Sequence, residues 1–135
     1  MSIIGREVRV VMDRPLGSTH PKHPDIQYPI NYGFVPGIMG DDGEEQDVYL
    51  LGVGYPVKTF TGEVIAIIHR LDDVEDKWVV APKNRRFSEE EIREATAFQE
   101  RYFQIKVIMD ADEAARMPQR WRRQHSKSPH HDTWE

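Results

Sequence analysis

The sequence predicts a small β-barrel followed by a helical C-terminal part. About five strand-like segments lie between residues 6 and 82, with no helical pattern between them. Short antiparallel strands joined by turns favour a small barrel over a parallel sheet. From residue 87 the apolar residues take helical spacing. The chain has 135 residues, which fits a single domain.

Each predicted strand is rich in β-branched or aromatic residues and ends at turn-forming residues. The five segments are EVRVVMD, which ends near Asp13, IQYPINYGFV, DVYLLGVG, the apolar run from about Val64 to Leu71, and KWVVAP, which ends at Pro82. The stretch PGIMGDDGEEQ, between the second and third segments, is predicted to be a loop. The barrel therefore spans about residues 6–82.

A helix is predicted to begin after Ser88, because Glu91 follows three residues later in the pattern of a capping box. Apolar residues then recur at helical spacing: Ile92, Ala95, Phe98 and Tyr102 or Phe103. IKVIMD indicates a short strand, and ADEAARMPQRWRRQH indicates a second helix bent at Pro118. The helical part covers about residues 87–125, and the polar tail 126–135 is predicted to be loose.

The composition argues against several classes of protein. A net charge of −5 disfavours a general nucleic-acid binder, which needs a basic face. No cysteine is present to form disulfides, and the six histidines include no helical H-x-x-x-H pair that would indicate zinc. No segment reaches the roughly 18 apolar residues of a membrane span, and no signal peptide is evident. A cytoplasmic protein without nucleic-acid or membrane partners is expected.

Carboxylates collect at three strand ends, which share a rim if the strands form a barrel. The three groups are Asp13; Asp42, Glu44 and Asp47; and Asp72, Asp73, Glu75 and Asp76. Converging carboxylates repel unless a cation is present, and Mg²⁺ prefers a few carboxylates together with waters and phosphates. The alternative is that each group is a solvated acidic turn.

Strand alternation places Glu75 and Lys77 on one face of the fifth strand and Asp76 on the other. A carboxylate beside an ammonium suits a metal ion next to a phosphate. A simple cross-strand ion pair is the alternative interpretation.

Several segments together resemble the soluble family I inorganic pyrophosphatases. YPINYGFVPGIMGDDGEEQD is similar to that family's N-Y-G-Y-like segment and the D-G-D-P-x-D segment ten residues after its tyrosine. Tyr32 and Asp42 keep that interval. VVMDRP and LDDVEDKWVVAP resemble the family's first strand end and its acidic turn with a D-x-K strand. The resemblance covers roughly residues 6–115.

The resemblance implies a five-stranded OB-like barrel with C-terminal helices packed on it, and Mg²⁺-dependent hydrolysis of pyrophosphate to two phosphates. Mn²⁺ or Co²⁺ could replace Mg²⁺, and a homo-oligomer is possible in such a family. The implied metal ligands are Asp42, Asp47, Glu75, Asp72 and Asp13, the last through water. Glu44 stands at the position of the general base. Lys22, Lys77, Tyr32 and Tyr102 are implied to contact phosphate.

The sequence departs from the family pattern at several positions. Glu44 replaces an aspartate, Phe103 stands where the family has a lysine, and a hairpin that carries an arginine is absent after Lys22. The shorter acidic turn leaves Asp72 or Asp73 for one ligand role and Glu75 or Asp76 for another; the spacing to Lys77 favours Glu75. Two alternatives therefore stay open: a metal-dependent hydrolase of another phosphoanhydride or phosphoester, and a non-catalytic OB-like binding module.

Overall fold

The computed structural model describes residues 3–40 and 42–109. Its elements in chain order are β1 (Glu7–Arg14), β2 (Asn31–Met39), β3 (Glu45–Leu50), β4 (Thr59–Arg70), β5 (Asp76–Ala81), α1 (Glu89–Glu100) and β6 (Ile105–Ile108). The prediction of a mainly β protein with an OB-like barrel is confirmed. Five strands lie between residues 6 and 82, as predicted, and the short strand predicted in IKVIMD is β6.

Five strands close into a barrel in the order β1-β2-β3-β5-β4, because β4 also pairs with β1. All pairs are antiparallel except β3 with β5, which run parallel. The long β4 makes the closure possible, since its first half, Thr59–Glu63, pairs with β1. Its second half, Ile67–Arg70, pairs with β6 instead.

Alternating side chains of the strands fill two separate apolar cores, because successive residues point to opposite faces of a sheet. In β3, Val48 and Leu50 belong to the core that includes Val10, Val64 and Val80. Tyr49, between them, belongs to a second core, which also contains Ile92 of the helix. The apolar run at the end of β3 is thus explained by burial of both faces.

The helix begins as predicted. The Ser88 hydroxyl accepts a hydrogen bond from the Glu91 backbone N–H at 3.1 Å, and the Glu91 carboxylate accepts one from the Ser88 backbone N–H at 2.8 Å. Ile92, Thr96 and Glu100 form the buried side of the helix. This spacing of four residues directs one face of α1 onto the barrel.

The boundaries of β2, β3 and β4 differ from the prediction: β2 begins at Asn31 rather than Ile26, and β3 spans Glu45–Leu50 rather than 47–54. β2 continues through Pro36 to Met39, into the stretch predicted to be a loop, and its pairing with β3 shifts register between Val35 and Met39. Gly37 has a φ of 83°, a conformation that glycine adopts readily, within this irregular stretch. β4 begins at Thr59 rather than near Val64, because pairing with β1 holds its polar first half extended.

The predicted second helix and the tail, within residues 110–135, lie outside the described residues. Among the helices of the described part of the chain, none is long and apolar enough to cross a membrane.

Candidate active site

A cavity of about 700 Å³ opens at one end of the barrel, between the loop after β1 and the end of α1. Seven of the ten predicted site residues line it: Asp13, Lys22, Tyr32, Asp47, Glu75, Lys77 and Tyr102. They come from four separate strands or their ends, one loop and the turn after the helix. The fold therefore gathers residues that are up to 89 positions apart in the chain, from Asp13 to Tyr102.

Lys77, in β5, lines the cavity and is almost completely buried, with 4% exposure. Its ammonium contacts the hydroxyl of Tyr32 at 2.7 Å, Asp47 Oδ2 at 2.7 Å and Glu75 Oε1 at 3.0 Å. Lys77 shares a strand face with Val79, which packs in the core beneath the helix. A buried charge is tolerated only when it is paired, and these three oxygens provide the pairing.

Burial and charge act in opposite directions on Lys77. Burial favours the neutral amine, but Tyr32, Asp47 and Glu75 outweigh it and raise the pKa of Lys77 above its ordinary value. Burial also raises the pKa of Tyr32, with Lys77 opposing that shift. At neutral pH the site therefore holds a lysine cation beside a neutral phenol.

Asp13 reaches the cavity because β1 is irregular at its end. The register of β1 against β2 shifts between Met12 and Arg14. The two strands approach closely there: a Cβ on Gly33 would lie 2.1 Å from the carbonyl oxygen of Val11. A shift of this kind can redirect a side chain, and Asp13 lines the cavity. Partial burial raises the pKa of Asp13, and the charge of the neighbouring Arg14 opposes this shift.

Arg70, at the end of β4, is a cavity residue that the sequence analysis missed. Its exposure is 4%. Its guanidinium makes a two-pronged contact with Glu100 at 2.9 and 2.6 Å. One remaining nitrogen donates to Glu75 at 2.9 Å and to Asp73 at 3.2 Å. The guanidinium carbon also lies 3.7 Å from the centre of the Phe103 ring.

The sequence does contain a signal for this pair. Arg70 follows Ala66 and Ile68 on the same face of β4, and both of those residues are fully buried. Glu100 likewise follows Ile92 and Thr96 at intervals of four residues. A charged residue that continues a buried series indicates a buried ion pair.

A second wall of the cavity is built from the loop after β1 and the turn after α1. Lys22 is exposed and forms no ion pair with any residue in the described ranges. His20 and His23 stand beside it, with ring centres 4.9 Å apart. Tyr102, two residues beyond the end of α1, is 66% exposed. The position of this wall therefore depends much less on side-chain contacts than that of the strand wall.

Three of the predicted residues are not among those lining the cavity. Asp42 borders a smaller neighbouring cleft together with Asp47 and Glu75, and its Oδ1 accepts a hydrogen bond from the backbone of Glu44 at 2.9 Å. Glu44 itself is exposed in the turn before β3. Asp72 is exposed, and its carboxylate accepts a hydrogen bond from the backbone N–H of Gln104 at 3.3 Å.

The geometry distinguishes the members of one of the two pairs of carboxylates between which the sequence left a choice. Glu75 lines the cavity, whereas Asp76 contacts the His69 ring at 2.8 Å. Asp73 contacts Arg70, and neither it nor Asp72 is among the cavity-lining residues.

The oxygen donors of the cavity fit a sparse Mg²⁺ site. Asp13, Asp47 and Glu75 are hard oxygen donors that line the cavity, although Lys77 and Arg70 already contact Glu75. No group of three or more His, Cys, Asp or Glu side chains within residues 3–40 and 42–109 is arranged to hold a metal ion. Mg²⁺ commonly takes only one or two carboxylates and completes its shell with waters and substrate phosphates. Asp13 and Asp47 meet that smaller requirement.

Comparison with solved structures gives the same fold in several bacterial inorganic pyrophosphatases. The enzyme from Ehrlichia chaffeensis has a TM-score of 0.62 at 18% identity, covering 82% of this chain and 90% of that one. The enzyme from Helicobacter pylori has a TM-score of 0.60 at 17% identity, covering 84% and 89%. The protein from Neisseria gonorrhoeae has a TM-score of 0.58 at 24% identity, covering 87% and 92%.

No curated protein matches the chain in a sequence search. The sequence model of the inorganic pyrophosphatase family, in contrast, matches residues 7–123, most of its length. That range includes all ten residues predicted from the sequence to form the site. The chain is a member of the inorganic pyrophosphatase family.

Proposed function

We propose that this protein hydrolyses inorganic pyrophosphate to two phosphates at the cavity described above, with Mg²⁺ as its metal and Mn²⁺ or Co²⁺ as possible substitutes. The observation that carries the proposal is the convergence of carboxylates, lysines and tyrosines on a single cavity. A cytoplasmic enzyme acting on a small soluble anion agrees with the composition.

Asp13 and Asp47 are the cavity carboxylates in position to hold metal ions, and the resemblance adds Asp42, Asp72 and Glu75. A bound divalent ion would neutralise phosphate charge and lower the pKa of a water molecule that attacks phosphorus. In the reaction an O–P bond to that water forms and the bridging P–O bond breaks. The proton of the water passes to a carboxylate, and the leaving phosphate keeps the bridging oxygen.

The residues of the chain bind and orient the anion. Lys77 is held charged at a fixed position, so it stabilises negative charge without reorganisation. The Tyr32 hydroxyl accepts from Lys77 and keeps its own proton to donate. Lys22 and Tyr102 are exposed and line the same cavity, so they would contact the oxygens of a phosphate bound there.

The resemblance and the lining of the cavity point to different proton acceptors. The resemblance assigns this role to Glu44, which is exposed and not among the cavity-lining residues. Asp13 and Asp47, in contrast, line the cavity together with the proposed phosphate contacts and are the alternative acceptors. A variant of Glu44 therefore tests whether the turn before β3 supplies the proton acceptor.

One observation favours a second candidate function, hydrolysis of another phosphoanhydride or phosphoester. The cavity is large for pyrophosphate, and Phe98, Tyr102 and Phe103 contribute aromatic rings to its lining. Pockets of about 300–1,000 Å³ with aromatic walls typically bind organic ligands. A substrate with an organic group would place its phosphates near Lys77 and that group against these rings.

Phosphate release from pyrophosphate tests the proposal. It would be measured with Mg²⁺, with EDTA, and in Asp47→Asn and Glu44→Gln variants, with Glu94→Gln as the matched control. Glu94 is exposed on the outer side of α1 and outside the site. We expect activity with Mg²⁺ and none with EDTA. Asp47→Asn should lose about 100-fold or more, and Glu94→Gln should be unchanged.

Each contrary result has a definite meaning. Hydrolysis that persists in EDTA, or in both site variants, would rule out the metal-dependent mechanism. Cleavage of a nucleoside diphosphate with pyrophosphate left intact would establish the second candidate function. If no phosphate compound is cleaved although Mg²⁺ raises the melting temperature, the barrel is a binding module.

A further inference from the structure

Arg70 places a permanent positive charge inside the candidate site. It is buried at the end of β4 and lines the cavity. The two-pronged contact with Glu100, at 2.9 and 2.6 Å, fixes the plane of the guanidinium. The ring of Phe103, at 3.7 Å, covers one face of it. Arg70 therefore cannot swing away from the cavity without breaking a buried ion pair.

Glu75 is held by this cation and by a second one. Its Oε1 accepts a hydrogen bond from Arg70 at 2.9 Å and contacts the Lys77 ammonium at 3.0 Å. Both cations are 4% exposed, and Glu75 is only partly exposed. A metal ion that approached this oxygen would meet two like charges that are poorly screened by water.

The other two cavity carboxylates are in a different situation. Within the described residues, Asp47 contacts a single cation, Lys77, through Oδ2 at 2.7 Å. Asp13 is exposed, and none of the ion pairs found in the described part of the chain includes its carboxylate. The adjacent Arg14 donates a hydrogen bond to the backbone carbonyl oxygen of Asp13, at 2.9 Å, rather than to its carboxylate.

We propose that Arg70 takes the place of a divalent cation at Glu75. Glu75 then serves as the common anchor of Arg70 and Lys77, and divalent ions bind only on the Asp13–Asp47 side of the cavity. Arg70 is in this sense a positioning residue, because it holds Glu75, which in turn holds the proposed phosphate contact Lys77. The inference rests on the proposed function for the identity of the metal.

Metal binding in the absence of substrate tests this inference. Calorimetric titration with Mg²⁺, supported by the Mg²⁺-induced rise in melting temperature, would compare Glu75→Gln with Asp47→Asn. Both changes replace a carboxylate by an isosteric amide, and the new amide oxygen of the first variant can still accept a hydrogen bond from Arg70. We expect Glu75→Gln to change the Mg²⁺ affinity by less than about twofold and Asp47→Asn to weaken it at least about tenfold.

A second pair of variants tests the converse. Arg70→Met combined with Glu100→Gln removes the cation and its buried partner together, so no unpaired charge is left in the interior. This double variant should bind one more Mg²⁺ ion per chain than the wild type, and adding Glu75→Gln should abolish that extra ion. Circular dichroism and a thermal melt without metal would establish that each variant folds.

Two results would overturn the inference: an equal loss of Mg²⁺ affinity in Glu75→Gln and Asp47→Asn, or no extra ion in a folded double variant. If the double variant does not fold, the comparison of the two single variants decides alone. Failure of the proposed function is distinguishable, because it would appear as absence of phosphate release with the metal-binding pattern intact.

Discussion

The two walls of the cavity are built in different ways. The strand wall carries Tyr32, Asp47 and Lys77, and the Lys77 ammonium contacts the other two side chains at 2.7 Å. The loop wall carries Lys22 and Tyr102, both exposed. One wall is a preorganised set of buried and half-buried polar groups, and the other is a set of solvated groups that can adjust to a ligand.

Residues of one site can therefore contribute to different properties of the protein, stability in one case and substrate affinity in the other. A buried, paired charge contributes to stability as well as to binding, because removing it leaves its partners unpaired. An exposed charge contributes to binding with little effect on folding. Substitutions on the two walls should therefore separate stability from substrate affinity.

The largest expected effect is that of Lys77→Met on stability. The change leaves Asp47 and Glu75 without their shared ammonium in a partly buried wall. We expect the free energy of unfolding to fall by about 3 kcal/mol, measured by urea denaturation at neutral pH. Lys22→Met is the matched control and should change it by less than about 0.5 kcal/mol. Equal losses in both variants would remove the distinction between the walls.

Lys22→Met should instead affect substrate binding. Its ammonium is exposed on the loop wall, so its attraction for a phosphate is lost without a folding cost. We expect KM for pyrophosphate to rise about tenfold, equivalent to about 1.4 kcal/mol. Steady-state kinetics at fixed Mg²⁺ would measure this effect. An unchanged KM would show that the loop wall does not contact the substrate.

Tyr32→Phe should have a smaller effect on stability. The variant keeps the ring in the core but removes the hydroxyl that accepts a hydrogen bond from Lys77. The expected loss is about 1 kcal/mol in the free energy of unfolding. Tyr102→Phe, the same change on the loop wall, should cost less than about 0.5 kcal/mol. A larger loss in Tyr102→Phe than in Tyr32→Phe would contradict the comparison.

The smallest expected effect is the response of Lys77 to pH. The folded-state pKa of Lys77 is raised above its ordinary value of 10.5. When the pKa of a lysine is higher in the folded state than in the unfolded state, its charge contributes fully to stability at any pH below the unfolded-state pKa. That contribution disappears only as the pH rises through the folded-state pKa. The stability difference between wild type and Lys77→Met should therefore agree within about 0.5 kcal/mol between about pH 7 and about pH 9.5. If this stability difference disappeared between those pH values, burial would outweigh the effect of the neighbouring oxygens and would lower the pKa of Lys77.

Local patterns in the sequence predicted the parts of the molecule that depend on neighbouring residues. The capping box at Ser88 and the alternation that sets Glu75 and Lys77 on one face are local rules, and both hold in the structure. The boundaries of β2 and β4 were missed because pairing with distant strands extends them.

Long-range contacts limited the prediction of the site. Arg70 and Glu100 are separated by 30 residues, and no spacing rule states that a strand end will meet that turn of a helix. Burial of a charge at each position could be expected, but the partner could not. For Glu44 the sequence motif identified the position, but it did not predict that the side chain would be exposed and outside the cavity lining.

The contact between Arg70 and Glu100 also links two parts of the fold during unfolding. Glu100 ends α1, and Arg70 ends the strand that closes the barrel. If the helix detached from the barrel, both charges would be left without their main partner, so a partly unfolded form with an intact cavity is disfavoured. Docking of the helix and assembly of the site should therefore occur in one cooperative step. An intermediate that has a formed binding site but an undocked helix is then not populated.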